Sequence, residues 1–206
     1  VITANQLILL VVFLLVAFPV HEFAHAWVAD RLGDGTPRLF GRLTLNPAAH
    51  FDPLGGLMLV ISVLAGGFIF GWAKPTPVNP RNLHDPRNGE VLVALAGPLS
   101  NLLMAAAAAV VVRAVAAADL PLPALLVQLL LGFTYYNVAL AVFNLIPIPP
   151  LDGATLLFRF LDPRTLGQVR ATLSQYGFVI LLAFVFLLGP RLSRFIVDAT
   201  RFLVGF

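Results

Sequence analysis

Five apolar stretches dominate this chain, each close to or beyond the roughly 20 residues that carry a helix across the hydrocarbon core of a bilayer. They lie at about residues 7–29, 54–72, 91–118, 122–146 and 166–188. Hydrophobic residues make up 59% of the 206, and Asp, Glu, Lys and Arg together only 11%. Soluble domains average about 45–50% and about 25%. In water this chain would expose far more apolar surface than it could cover, so the bilayer is its natural solvent. The expected fold is an all-α polytopic membrane protein of five to six transmembrane segments. It reads as a single membrane-embedded domain over residues 1–206, with its core at about 7–188. The compact build suits a bacterial or archaeal cell membrane, and the first stretch reads as a membrane helix rather than a signal peptide, because it has no basic n-region.

The tail, residues 191–206, sets Arg191, Arg194, Asp198 and Arg201 at helical spacings against Phe195, Ile196, Phe202 and Leu203. That is the pattern of an amphipathic helix lying in the interface; a short sixth membrane segment is the alternative. The net charge is +3, but the 13 Lys and Arg are scattered among the connections. No run resembles a nucleic-acid patch, and the charges read as headgroup-facing. Counted on alternate sides of five spans they nearly balance and give no orientation. Cysteine is absent, so any metal must be held by nitrogen and oxygen.

Three connections are unusual. Residues 38–45 nearly alternate polar and apolar, as a short β-hairpin or edge strand does. Residues 73–87 hold Pro75, Pro77, Pro80 and Pro86 and read as an extended loop. Residues 146–153, Ile-Pro-Ile-Pro-Pro-Leu-Asp-Gly, cannot form a continuous helix. Broken backbone at membrane depth survives only inside protein or along a wet cavity, so this segment is expected to be a Pro-rich re-entrant break.

The chemistry is concentrated in His21-Glu22-Phe23-Ala24-His25, an HExxH sequence within the first apolar stretch. Spacing i, i+4 on a helix brings both imidazoles to one face, where they can share a Zn²⁺. Glu22 projects from the neighbouring flank, where it can reach a water on the metal and act as general base. Three ionisable groups within five residues of a membrane helix are costly, at least ~2.5–3.5 kcal/mol for a charged one, and a metal gives them a shared partner. A catalytic zinc takes three protein ligands and keeps one position open. His50 and His84 lie in polar loops and could serve, but solvated roles explain them as simply. Asp152, between the proline break and Gly153, reads equally as a third ligand or as an ordinary N-cap.

Three elements together resemble the site-2 protease family of intramembrane zinc metalloproteases: HEFAH at 21–25, Gly97-Pro98-Leu99-Ser100-Asn101, and Asn144-Leu145-Ile146-Pro147-Ile148-Pro149-Pro150-Leu151-Asp152-Gly153. Residues 70–79 are similar to a loop of many smaller members, and the resemblance covers roughly residues 7–160. It implies one Zn²⁺ per chain with Asp152 as third ligand beside His21 and His25. It also implies that Asn144 lies near the site, steadying the oxyanion or bonding broken backbone. For Asn101, helix packing is as available a role as substrate contact. Members cleave transmembrane segments of other membrane proteins, often after a first cut has removed an extramembrane part, so the implied partners are such a substrate and the lipid bilayer, with no nucleic acid. The 38–45 strand or the loop from Ala73 could pair with an unwound substrate by β-augmentation; a self-contained lid is the other reading of the strand. No PDZ or CBS domain of the kind some members carry is evident in these residues.

One difficulty remains at this level. With five spans, Asp152 follows the fourth and falls on the side opposite HEFAH. Either the proline segment re-enters the membrane or a span boundary is misplaced. Two other readings fit parts of the pattern. A metal transporter would spread polar residues along a pathway, whereas here they cluster and include a Glu between the histidines. A non-catalytic membrane scaffold of the same build would lack Glu22 or a ligand, and all four residues are present.

Overall fold

The computed structural model describes residues 3–64 and 71–205. Among these, four helices are long and apolar enough to cross a membrane: α1 (Asn5–Arg31), α3 (Pro86–Ala117), α4 (Ala124–Asn144) and α6 (Arg164–Val204). Shorter helices include α2 (Pro53–Leu64) and α5 (Gly153–Arg159), besides single turns at Thr36–Leu39, Pro47–His50 and Pro80–Asn82. Within α1 the ladder widens to a π-turn over Phe13–Ala17, just ahead of Pro19. Proline has no N–H for the carbonyl one turn back, and a π-turn absorbs that mismatch. HEFAH occupies the regular turns that follow.

The second apolar stretch, expected to span at 54–72, does something else. Its helix α2 covers the described residues Pro53–Leu64. Gly71 and Trp72 then lie against the start of the same helix: a Cβ on Gly55 would overlap the Trp72 carbonyl, and one on Gly71 would sit 2.8 Å from Leu59 Cβ. The chain is therefore back at the end it left. Gly66, Gly67 and Phe70, assigned to that stretch and its following loop, lie outside the described residues. This correction removes the difficulty above. With α2 entering and leaving at one end, α3 and α4 return the chain to the side where α1 finishes, and Asp152 emerges there.

The expected strand at 38–45 is also absent: no strand occurs among the described residues. Thr36–Leu39 forms a helical turn with Pro37 in its first turn, a position where the missing N–H matters little. Arg38 folds back on α1, its Nε and Nη2 donating to Asp30 carboxylate oxygens at 3.0 and 2.6 Å. Gly41 reverses the chain at φ +67°. Arg42, buried, donates to the Ala49 carbonyl. Local charge pairing and backbone satisfaction outweigh the alternating pattern.

The tail is not a separate element. One helix runs over Pro163–Val204, passing through Pro190, and its 42 residues extend about 63 Å. Its last third packs into the bundle: Ile196 joins Ala105 and Val138, and Val204 joins Ala109 and Val112. Those contacts make the tail part of the core rather than an interfacial strip. The bundle itself centres on α3, which packs most extensively on α4 and α1. Small buried residues of α3 (Gly89, Ala94, Gly97, Ala105, Ala108) let backbones approach closely.

Asp34 ties the loops at the site end together. It is fully buried, and its carboxylate accepts from Thr36 N–H and Oγ1, Asn79 N–H at 2.7 Å, and Asn82 Nδ2 at 3.0 Å. Burial pushes the carboxyl up, but these donors outweigh it and hold it below its ordinary value. A group with a depressed folded pKa contributes stability above its unfolded pKa of about 3.9, and that contribution is lost as pH falls through the folded value. Asp34→Ala is expected to destabilise the protein by about 3 kcal/mol at pH 7. The gap in melting temperature between wild type and variant in detergent should narrow as pH drops below about 4; a gap unchanged by pH would contradict the assignment.

Candidate metal centre

His21, Glu22 and His25 are buried on the α1 face that packs against α3. The two imidazole Nε2 atoms stand 3.1 Å apart, and Asp152 Oδ2 lies 3.4 Å from each. Tetrahedral ligands at about 2.0–2.1 Å from zinc would stand about 3.3 Å from one another, so this triangle has the dimensions of a zinc face. Asp152 Oδ2 is buried and accepts no hydrogen bond within the protein. Such an atom calls for a partner, and a cation shared with the two imidazoles supplies one. The residues fit a zinc ion. Among the described residues these three are the one group of His, Asp and Glu side chains close enough to hold a metal.

Asp152 does occupy the N-cap position of α5, but its side chain makes no capping bond. It turns to the imidazoles instead. The broken segment before it gives it that freedom, and Gly153 permits the close turn: a Cβ there would overlap the Leu145 carbonyl.

The outer nitrogen of each imidazole is also engaged. His25 Nδ1 is 2.7 Å from the Val93 carbonyl, and His21 Nδ1 is 2.6 Å from Asn101 Oδ1. Both partners can accept, so both rings carry their proton on Nδ1 and present a lone pair at Nε2. Asn101 thus has a role that sequence reasoning left open between packing and substrate contact. Gly97, one helical turn earlier, faces the same rings; a Cβ there would overlap His25 Nε2 and His21 Cε1. The Gly97-Pro98-Leu99-Ser100-Asn101 motif pointed to this helix, but its function was visible only once α1 was packed against it.

Glu22 meets a residue that sequence reasoning missed. Thr76 donates to Glu22 Oε2 from its backbone N–H at 3.0 Å and from Oγ1 at 2.9 Å. The Pro-rich loop therefore passes against Glu22, and the proline on each side of Thr76 was the available signal. Asn144 is not gathered into the cluster; its Nδ2 donates to the Leu140 carbonyl at 3.0 Å. His50 Nε2 is 2.8 Å from the Thr44 carbonyl, and His84 lies beside Gly33, so neither joins the cluster.

A family model described as peptidase family M50 matches residues 116–188, a segment that includes Asn144 and Asp152 but not HEFAH. The chain is 41% identical over 200 residues to "Putative zinc metalloprotease YwhC" of Bacillus subtilis, covering 93% of this chain and 87% of the relative. It is 32% identical over 199 residues to "Putative zinc metalloprotease Rip2" of Mycolicibacterium smegmatis, covering 97% and 74%. The Rip2 protein of Mycobacterium tuberculosis strain H37Rv is 32% identical over 190 residues, with coverage of 92% and 70%. No solved structure matches the chain.

Proposed function

Because this chain belongs to peptidase family M50, the site-2 proteases, we propose that it cleaves peptide bonds inside the transmembrane segments of other membrane proteins. One zinc ion would be held by His21, His25 and Asp152. The observation that carries this reading is the triangle of His21 Nε2, His25 Nε2 and Asp152 Oδ2, the last without a hydrogen bond, formed where the broken segment meets a membrane helix. Bound zinc supplies Lewis acidity towards a carbonyl and makes a water acidic near neutral pH. Glu22 takes the proton of the attacking water and delivers it to the leaving amine. Thr76 holds Oε2 of that carboxylate and leaves Oε1 for the water. Asn144, with a second N–H beyond the one given to Leu140, is assigned to the developing oxyanion.

The substrate is a membrane-spanning segment, trimmed beforehand so that it can enter and unwind. An intact helix has every backbone carbonyl satisfied, so unwinding precedes attack. The extended backbone from Ala73 runs past the site and suits pairing with the unwound stretch. The protein is multi-pass in a bacterial cell membrane, as befits the sources of its relatives.

The test is metal content of the detergent-purified protein. Wild type should hold about one zinc per chain, as a catalytic site with three protein ligands requires. His21→Ala and Asp152→Ala should hold little or none. Absence of zinc in the wild type after zinc is supplied would sink the peptidase reading and favour a scaffold.

A further inference from the structure

We infer that Asn137 of α4 is a positioning residue for the metal centre, fixing through Asn101 which nitrogen of His21 faces the ligand cluster. This rests on the zinc-site reading above. The relay starts at a backbone carbonyl. Phe133 O can only accept, and it lies 2.9 Å from the Asn137 side-chain amide, so that atom of Asn137 is the NH₂ group. The other amide atom of Asn137, Oδ1, is then an acceptor, and it takes a hydrogen bond from Asn101 Nδ2 at 2.9 Å. Asn101 is thereby forced to present Oδ1 to His21 Nδ1, 2.6 Å away. An acceptor there requires the proton on Nδ1 and leaves Nε2 with its lone pair.

Both asparagines are fully buried. An amide at position 101 without Asn137 could rotate by half a turn and offer its NH₂ to His21. The imidazole would then carry its proton on Nε2, the nitrogen needed by the metal. His25 has no such weakness, because its Nδ1 meets the Val93 carbonyl directly. The two ligands are set by different means, one by backbone and one by a side-chain relay from α4. Outer partners of ligating histidines typically change metal affinity by about 10–100-fold when removed.

The experiment measures zinc affinity by competition with a chelator, alongside melting of the metal-free proteins. Asn137→Leu should weaken zinc binding by about ten- to a hundredfold. Asn137→Ser, whose hydroxyl is too short to reach Asn101 but keeps the helix polar, should show a loss of the same order and serves if the leucine variant fails to fold. The decisive step repeats both changes in an Asn101→Asp background. An ionised carboxylate has only acceptor oxygens, so its orientation no longer matters, and the effect of changing Asn137 should fall below about threefold, well under the usual range. Equal losses in both backgrounds would make Asn137 a packing residue and overturn the proposal, as would wild-type affinity in the single variants. A wild-type protein that binds no zinc overturns the zinc site itself, so the two failures are distinguishable.

Discussion

Glu22→Gln is expected to leave zinc bound and to abolish cleavage, a loss of about two to four orders of magnitude or more. The carboxylate is not one of the three donors that converge on the metal position, so its charge is not needed to hold the ion. It is needed to accept a proton, which an amide cannot do. Glutamine is nearly isosteric and can still accept from Thr76 N–H and Oγ1 through its carbonyl oxygen, so the loop above the site should stay in place. The measurement pairs zinc content with cleavage of a membrane-segment substrate reconstituted in the same detergent. Loss of zinc in Glu22→Gln would place the carboxylate in the coordination sphere. Retained cleavage would transfer the base to another group.

Gly97→Ala should remove zinc and also cost the metal-free protein about 1–3 kcal/mol of stability by overpacking. Alanine is the better helix former by about 1 kcal/mol, and Gly97 lies inside a 32-residue helix. Yet the added methyl overlaps His25 Nε2 and His21 Cε1, the atoms around the metal position. The imidazoles must swing away or α1 must separate from α3. A displacement of ~1 Å at a catalytic centre removes about 10²-fold in rate, and here the metal itself is at stake. The expected pattern is a modest fall in melting temperature of the metal-free protein, with zinc and activity lost together. Wild-type zinc affinity in this variant would show that α1 and α3 pack more loosely than described.

Much of this site is local in the chain. His21, Glu22 and His25 share one helical turn, so their common face follows from the 3.6-residue period alone. Asp152 follows a run of prolines that no helix tolerates, which marks the segment as a break. Its choice between cap and ligand was not local, because either role puts an Asp before a Gly at a helix start. Its position in space shows that it makes no capping bond and stands 3.4 Å from both imidazoles. Thr76 and Asn137 were illegible for a related reason: their partners lie 54 residues away at Glu22 and 36 away at Asn101, and nothing in either neighbourhood announces a match.

The errors have a common cause as well. Residues 54–72 are apolar enough to span and 38–45 alternate well enough to pair as strands, but hydropathy and period describe only what a segment tolerates. Whether an apolar stretch crosses or turns back depends on what its glycines let the returning chain touch, as at Gly55 and Trp72. Whether an alternating stretch pairs depends on an open edge, and Arg38 found Asp30 instead. The sequence by itself determined the solvent, the helical class, the shared face of His21 and His25 and the broken segment, because each follows from composition or from spacing within a few residues. Only the tertiary structure decided the return of the chain at Gly55 and Trp72 and the partners of His21, Glu22 and His25. Those depend on contacts between residues far apart in the chain, which no local pattern encodes.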